Sequence, residues 1–263
     1  MYIQSNRKTP GSDAMESAID NKIPEALPAV VRAWLSQSSQ ILIDSLGEEL
    51  EALILFGSAA EGLMRASSDV NLLVVLRRFE PERIDRASAV LQNAAAAVEL
   101  HPMFLLAGEL SLAAESFSVK FDDIAHRHVV LYGTDSFEGL TIPRPLLVKR
   151  LQQVLFNLTL RLRTLYAVGR AREESLAAHI ADTAAPLRRS AYAILELRGD
   201  RPSSPKAALE SLAADLGGEW TNDLQNLSKA REDLHLDPGT AAKLILRLAE
   251  LSESLRQQAA SLS

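Results

Sequence analysis

From Pro28 to Leu46 the apolar residues Val30, Val31, Trp34, Ile41, Leu42 and Leu46 recur at spacings that share one helix face, and Gly47 offers a stop. Ala52-Leu53-Ile54-Leu55-Phe56 then forms a short unbroken apolar run, the pattern of a strand buried on both faces, and Gly57-Ser58 ends it. A polar stretch with Gly62 and Ser67-Ser68 leads into Asp69-Val70-Asn71-Leu72-Leu73-Val74-Val75-Leu76, a second buried strand with two polar residues at its mouth. Pro81 to Val98 predicts a helix, with Pro81 in the first turn and Ile84, Ala87, Val90 and Leu91 facing inward. A strand from Glu99 to Leu106, a short helix from Glu109 to Ser116, a strand from Val119 to Ile124 and the apolar segment Val129 to Tyr132 follow.

After Gly133 the pattern changes. The stretch TDSFEGLTIPRP gathers turn residues and two prolines, and every long segment beyond it reads as helix. Five helices are predicted, Leu146 to Gly169, Glu173 to Leu197, Pro205 to Leu216, Trp220 to Leu234 and Ala241 to Leu262, with breaks at Gly169, GDRPSSP, LGG and HLDPG. Short connections place such helices side by side in a bundle. The expected architecture is therefore α+β: a small mixed sheet flanked by helices over residues 23–142, then an all-α bundle over 143–263. Residues 1–22, polar and without apolar anchors, are expected to form a flexible tail.

Composition narrows the function classes. With 263 residues, 47% of them hydrophobic, the chain can fill two modest cores. A net charge of -6 disfavours a role coating nucleic acid. The absence of cysteine excludes disulfides and thiolate chemistry, and fits the cytoplasm. No apolar run reaches the ~20 residues that cross a bilayer, so no membrane partner is expected.

The candidate chemistry lies in residues 53 to 76, LILFGSAAEGLMRASSDVNLLVVL. A buried strand running into Gly57-Ser58 allows close backbone approach at the glycine and adds a hydroxyl and an N–H at the serine. If a short helix starts just beyond, its free N–H groups make the turn a cradle for phosphate oxygens. Asp69 and Asn71 stand two apart on a strand and leave the same face. Magnesium ions in phosphoryl or nucleotidyl transfer want carboxylate oxygens there; aspartate supplies one, whereas asparagine offers a neutral carbonyl oxygen and no negative charge. On spacing alone, an ordinary turn at Gly57-Ser58 and a loop cap at Asp69 explain these residues as well.

Gly57-Ser58, Gly62 and Ser68-Asp69-Val70-Asn71 between two apolar strands resemble the ordered GS, G, SD-x-D signature of the nucleotidyltransferase superfamily, the DNA polymerase beta-like group that includes kanamycin nucleotidyltransferase. The resemblance spans roughly residues 45 to 135 and implies a small mixed sheet with a helical domain beside it. It implies that Gly57 and Ser58 contact nucleotide phosphates, with Ser68 beside them, and that Asp69 is the first metal-binding aspartate, a ligand of Mg2+. Arg65, in the loop between the motifs, is the cation best placed for the triphosphate of an NTP such as ATP. Asn71 departs from the second aspartate. The family's third carboxylate, brought by a later strand, aligns with Lys120; a shift of that alignment brings in Asp122, and Glu99 is a weaker candidate. If Lys120 faces Asp69, its ammonium stands where a metal otherwise would.

Two functions follow from the resemblance. One is a nucleotide-binding protein whose magnesium-dependent catalysis is impaired or lost, a pseudoenzyme. The other is an active transferase moving a nucleoside monophosphate from NTP to a hydroxyl of a small molecule or protein, using Asp69 with Asp122 or Glu99. Remaining features read more plainly. His126 and His128 flank Arg127 without an evident third metal ligand, Arg172 and His179 form a loose R-x6-H pair, and the arginine-rich stretch from Lys149 to Arg189 reads as the solvated face of helices.

Overall fold

The computed structural model describes residues 18–64, 68–169, 173–217 and 219–262. The chain divides into two compact units, Met1–Leu112 with Ile124–Leu140, and Ala113–Asp123 with Thr141–Ser263. The mixed sheet lies in the first unit and the all-helical core in the second.

The first unit starts its described part with Ile19 and Ile23, which are almost fully buried in its core, so the expected tail is already packed before residue 22. Residues 1–17 lie outside the described residues. Helix α1, Ala29–Leu46, buries Val31, Leu35, Leu42, Ile43 and Leu46, while Val30, expected on the inner face, is 55% exposed. Strands β1 (Leu50–Phe56) and β2 (Val70–Leu76) run antiparallel, and helix α2, Pro81–Val98, carries the chain to β3 (Leu100–Leu106), which lies parallel to β2. A parallel neighbour requires such a crossover. Strand β4, His128–Gly133, adds antiparallel to β1, giving the order β3-β2-β1-β4.

Each face of this sheet is apolar, as the unbroken apolar runs predict. Leu53, Leu55, Leu72, Val74 and Leu76 join the core that α1 and α2 cover, and Ile54, Leu73 and Val75 on the opposite face also show no exposure. Each such side chain contributes about 1.5–3 kcal/mol on burial. Buried Glu49, at the entrance to β1, is held by two hydrogen bonds from the Arg78 guanidinium, one of them 3.2 Å from Nε. That pairing holds its carboxyl below the usual range despite the desolvation that opposes it.

Helix α3, Leu110–Ser116, is followed by helix α4, Ser118–His126, where the sequence pattern predicts a strand from Val119 to Ile124. Over so short a run, the alternation Val119, Lys120, Phe121, Asp122 does not separate a strand from a helix face. Lys120 and Phe121 both donate their N–H to the Phe117 carbonyl, starting a helix, and Phe121 and Ile124, three apart, are both buried. Asp123 is buried too, and Arg189 of the same unit reaches it at 3.2 Å.

The second unit is otherwise a bundle of α5 (Arg144–Gly169), α6 (Glu173–Arg198), α7 (Pro205–Asp215), α8 (Thr221–Asp233) and α9 (Thr240–Ala260). Its core holds Leu155, Leu162, Ile180, Leu187, Ile194, Leu212, Leu227, Ile245, Leu248 and Leu255. Ser252 donates to the Leu155 carbonyl at 2.8 Å, a fully buried bond that fixes α9 against α5. The break predicted at GDRPSSP is a capped start: Ser204 accepts from the Ala207 N–H at 3.1 Å and Pro205 begins α7. No described helix is long and apolar enough to cross a membrane.

Candidate functional site

Strand β1 ends at Phe56, and the chain turns at Gly57 with φ 77°, a left-handed backbone conformation that favours glycine. Residues Gly57–Ala59 form a single 3-10 turn. The carbonyls of Gly57, Ser58 and Ala59 accept from the N–H groups of Ala60, Leu63 and Gly62 at 3.1, 2.9 and 3.2 Å, so the loop is closed by its own backbone. The N–H groups that open such a turn have no acceptor within it, which is the property a phosphate cradle requires.

Register shows what stands beside this turn. Phe56 pairs with Asn71 on one side and with His128 on the other, and Asn71 pairs with His101 of β3. His101, Asn71, Phe56 and His128 thus form one row across the four strands, and residues paired in a sheet leave the same face. Asn71 is half-buried, and its Nδ2 lies 3.9 Å from the place a Cβ on Gly57 would occupy, so its amide roofs the glycine. Asp69 immediately precedes β2 and is exposed, while Ser68 is buried. Asp69 and Glu99 directly precede the first pair of the two strands, Val70 with Leu100, and the carbonyl of Glu99, the left-handed C-cap of α2, accepts the Val70 N–H at 3.1 Å. Glu99 and His101 are both exposed.

The sequence alignment of Lys120 with the third carboxylate rests on a strand that does not form. Lys120 and Asp122 lie on helix α4, where residues two apart point ~200° away from each other, so they do not share the strand face expected of them. Both belong to the second unit. Lys120 is half-buried, and burial together with the Arg189 charge holds its ammonium below the usual lysine range. Asp122 brings a carboxylate oxygen within 4.8 Å of one from Glu196 of the same unit, an acidic pairing of a kind common on protein surfaces without a metal. Arg65 and Arg172 lie outside the described residues.

His101 is the residue that the sequence reading passed over. Its signal was present: Asp69-x-Asn71 and Glu99-x-His101 have the same two-residue spacing on strands joined by one helix, and a parallel pairing aligns them. Of the other histidines, His128 is held structurally. His128 has Nδ1 2.9 Å from the Ile124 carbonyl and Nε2 3.1 Å from Asp135, and its ring lies against Phe137. His126 ends α4 and is exposed, so the two histidines do not form a pair on one strand. In the helical unit Arg161 pairs with Asp182 at 3.0 Å and Arg188 donates to Ser228 at 2.9 Å, in keeping with a structural role for the basic residues.

Residues 39–128 match the family model of the nucleotidyltransferase domain. Among solved structures the fold is similar to spectinomycin adenyltransferase AAD(9) from Enterococcus faecialis, determined with ATP and spectinomycin. The likeness covers 85% of this chain and 98% of that one, with a TM-score of 0.60 and 13% sequence identity, a similarity of fold. No curated protein matches the chain in sequence.

Proposed function

We propose, from the match of residues 39–128 to the nucleotidyltransferase domain, that the chain binds a nucleoside triphosphate, ATP first among them, on the Gly57–Ser58 loop, with metal-dependent transfer impaired. The observation that carries this reading is the row beside the loop: the positions paired on β2 and β3 hold Asn71 and His101, neither of them a carboxylate. Ser58 and the N–H groups of the turn bind phosphate in this reading. Asn71 orients the bound group through its neutral amide, and Asp69 supplies the single acid at the mouth of β2.

A pair of magnesium ions, where present, neutralises the attacked phosphate and the leaving group. The row beside the loop does not fit such a pair, because it holds Asn71 and His101 where carboxylates would be needed, which leaves Asp69 and Glu99 as the acids at the strand mouths. Magnesium ordinarily binds through one or two carboxylates together with substrate phosphates, so the remaining set suits at most a weakly held ion that arrives with the nucleotide. Lys120 has no part in the proposal, since the strand that was expected to carry it is helix α4.

One observation favours a second reading, an active transferase. Glu99, whose carbonyl accepts the N–H of the residue after Asp69, offers a second acid at the same end of the sheet. The neighbouring adenyltransferase was determined with ATP and a small-molecule acceptor, which supports the same two classes of ligand here. The acceptor hydroxyl would belong to a small molecule or a protein, and the proposed setting is the cytoplasm.

Thermal-shift titration with ATP, with and without magnesium, tests the binding. Saturation to ~100 times the dissociation constant stabilises a protein by about 2.7 kcal/mol, so the absence of any shift at millimolar ATP refutes the binding reading. Pyrophosphate release separates the two functions. The wild type is expected to be inert and the double substitution Asn71→Asp, His101→Asp to gain magnesium-dependent release; turnover by the wild type that Glu99→Gln abolishes establishes the active reading.

A further inference from the structure

The loop from Gly57 to Gly62 closes on its own backbone, yet one residue far away in sequence grips it at two points. Arg127, between α4 and β4, accepts the Gly57 N–H on its carbonyl oxygen at 3.4 Å and donates from Nη1 to Oε2 of Glu61 at 2.7 Å. The Arg127 side chain is 10% exposed and that of Glu61 25%, so the guanidinium is largely shielded while Glu61 stays at the surface. The first contact holds the entry to the turn and the second holds the residue before Gly62.

We propose that Arg127 is a positioning residue of the nucleotide loop, acting on the triphosphate through Glu61, whose negative charge it neutralises. The inference rests on the proposed reading of Gly57–Ser58 as the phosphate site. A loop that receives a polyanion is penalised by a bare carboxylate four residues from its first glycine, since like charges repel at short range. Pairing with Arg127 removes that penalty and fixes the loop backbone in the same step. The contact also assigns the donors: the Gly57 N–H is taken by Arg127, so the phosphate-facing N–H groups of the turn begin at Ser58.

The test measures amide hydrogen exchange and ATP affinity on the full chain for the wild type, Arg127→Met, Arg127→Lys, Glu61→Gln and the double variant Arg127→Met, Glu61→Gln. Arg127→Met is expected to speed exchange at the Ala60, Gly62 and Leu63 amides and to weaken ATP binding by about tenfold or more, equivalent to ~1.4 kcal/mol. Arg127→Lys, which keeps the charge, is expected to recover most of the affinity. The double variant is expected to bind ATP more tightly than Arg127→Met alone, because the unpaired carboxylate is gone; a purely structural contact gives no such rescue. Unchanged loop exchange in both Arg127→Met and Glu61→Gln overturns the clamp, and a double variant no better than Arg127→Met overturns the charge argument. Should the wild type fail to bind ATP, the phosphate-site reading falls and the action on nucleotide with it, while the exchange rates still decide whether Arg127 holds the loop. If Arg127→Met does not fold, Arg127→Lys and Glu61→Gln carry the same comparison.

Discussion

Two glycines with nearly identical φ are expected to respond to alanine to different degrees, and the difference separates stability from function. Gly133 ends β4 at φ 78°, and a Cβ placed there stands 1.9 Å from the Glu51 carbonyl oxygen and 3.0 Å from the Ala52 Cα. Both obstacles are backbone of β1, so the clash is relieved only by lifting β4 from β1 where Gly133 pairs with Ala52. The left-handed conformation costs roughly 1–2 kcal/mol for a residue with a side chain, and one or two lost ladder bonds add about 0.5–1.5 kcal/mol each. Gly133→Ala should therefore cost about 1.5–5 kcal/mol, at the upper end a large part of the stability of an ordinary domain. Gly57, at φ 77°, would place its Cβ 3.9 Å from Asn71 Nδ2, an ordinary contact, so Gly57→Ala should cost only the ~1–2 kcal/mol of backbone strain. Urea unfolding followed by Trp34 fluorescence in a Trp220→Phe background reads the first unit alone, as the chain holds two tryptophans. ATP-induced thermal shift is expected to be lost in Gly57→Ala although the protein stays folded. A Gly133→Ala variant within about 1 kcal/mol of the wild type, or less destabilised than Gly57→Ala, refutes the reasoning from close approach.

Further outcomes follow from the same geometry. Asn71→Asp alone should make the ATP-induced thermal shift more dependent on magnesium, because it adds a carboxylate beside Asp69; a shift that stays indifferent to magnesium counts against the metal-site argument. The Glu49 carboxyl, held low by Arg78, contributes its stability in full above the unfolded carboxyl value of ~4.3 and loses it as pH falls through the lower folded value. Midpoints of urea unfolding measured from pH 6 downward should therefore fall more steeply in the wild type than in Glu49→Gln, which lacks the titrating group. Leu155→Ala, at a fully buried position of α5, should cost about 2–5 kcal/mol in unfolding read from Trp220, and a cost under about 1 kcal/mol contradicts the packing described for the bundle.

Much of the architecture was legible in local pattern. The unbroken apolar run 52–56 and the segment 69–76, polar only at its mouth, became β1 and β2, the Pro81 signal opened α2 at its first residue, and the five predicted helices of the second half all formed. These elements are long or sharply punctuated, so short-range periodicity suffices to specify them. The segment from Val119 to Ile124 failed as a strand because its alternation is too short to exclude a helix, and the Phe117 carbonyl starts one. Lys120 was expected beside Asp69 only through that strand, whereas the residues in register with β2 are those of β3 and β1.

What the sequence determined by itself was the chemistry available at the loop: a glycine free to adopt positive φ, a serine after it, one aspartate, and an asparagine where a second acid is expected. Residue type and two-residue spacing carry that much, because side-chain direction along a strand is a local property. Which residues stand opposite them was decided only by the tertiary structure. His101 meets Asn71 because β3 runs parallel to β2, and Arg127 meets Glu61 because β4 begins beside the end of β1. Both meetings join residues 30 and 66 positions apart, and no local pattern specifies the strand order that brings such residues together.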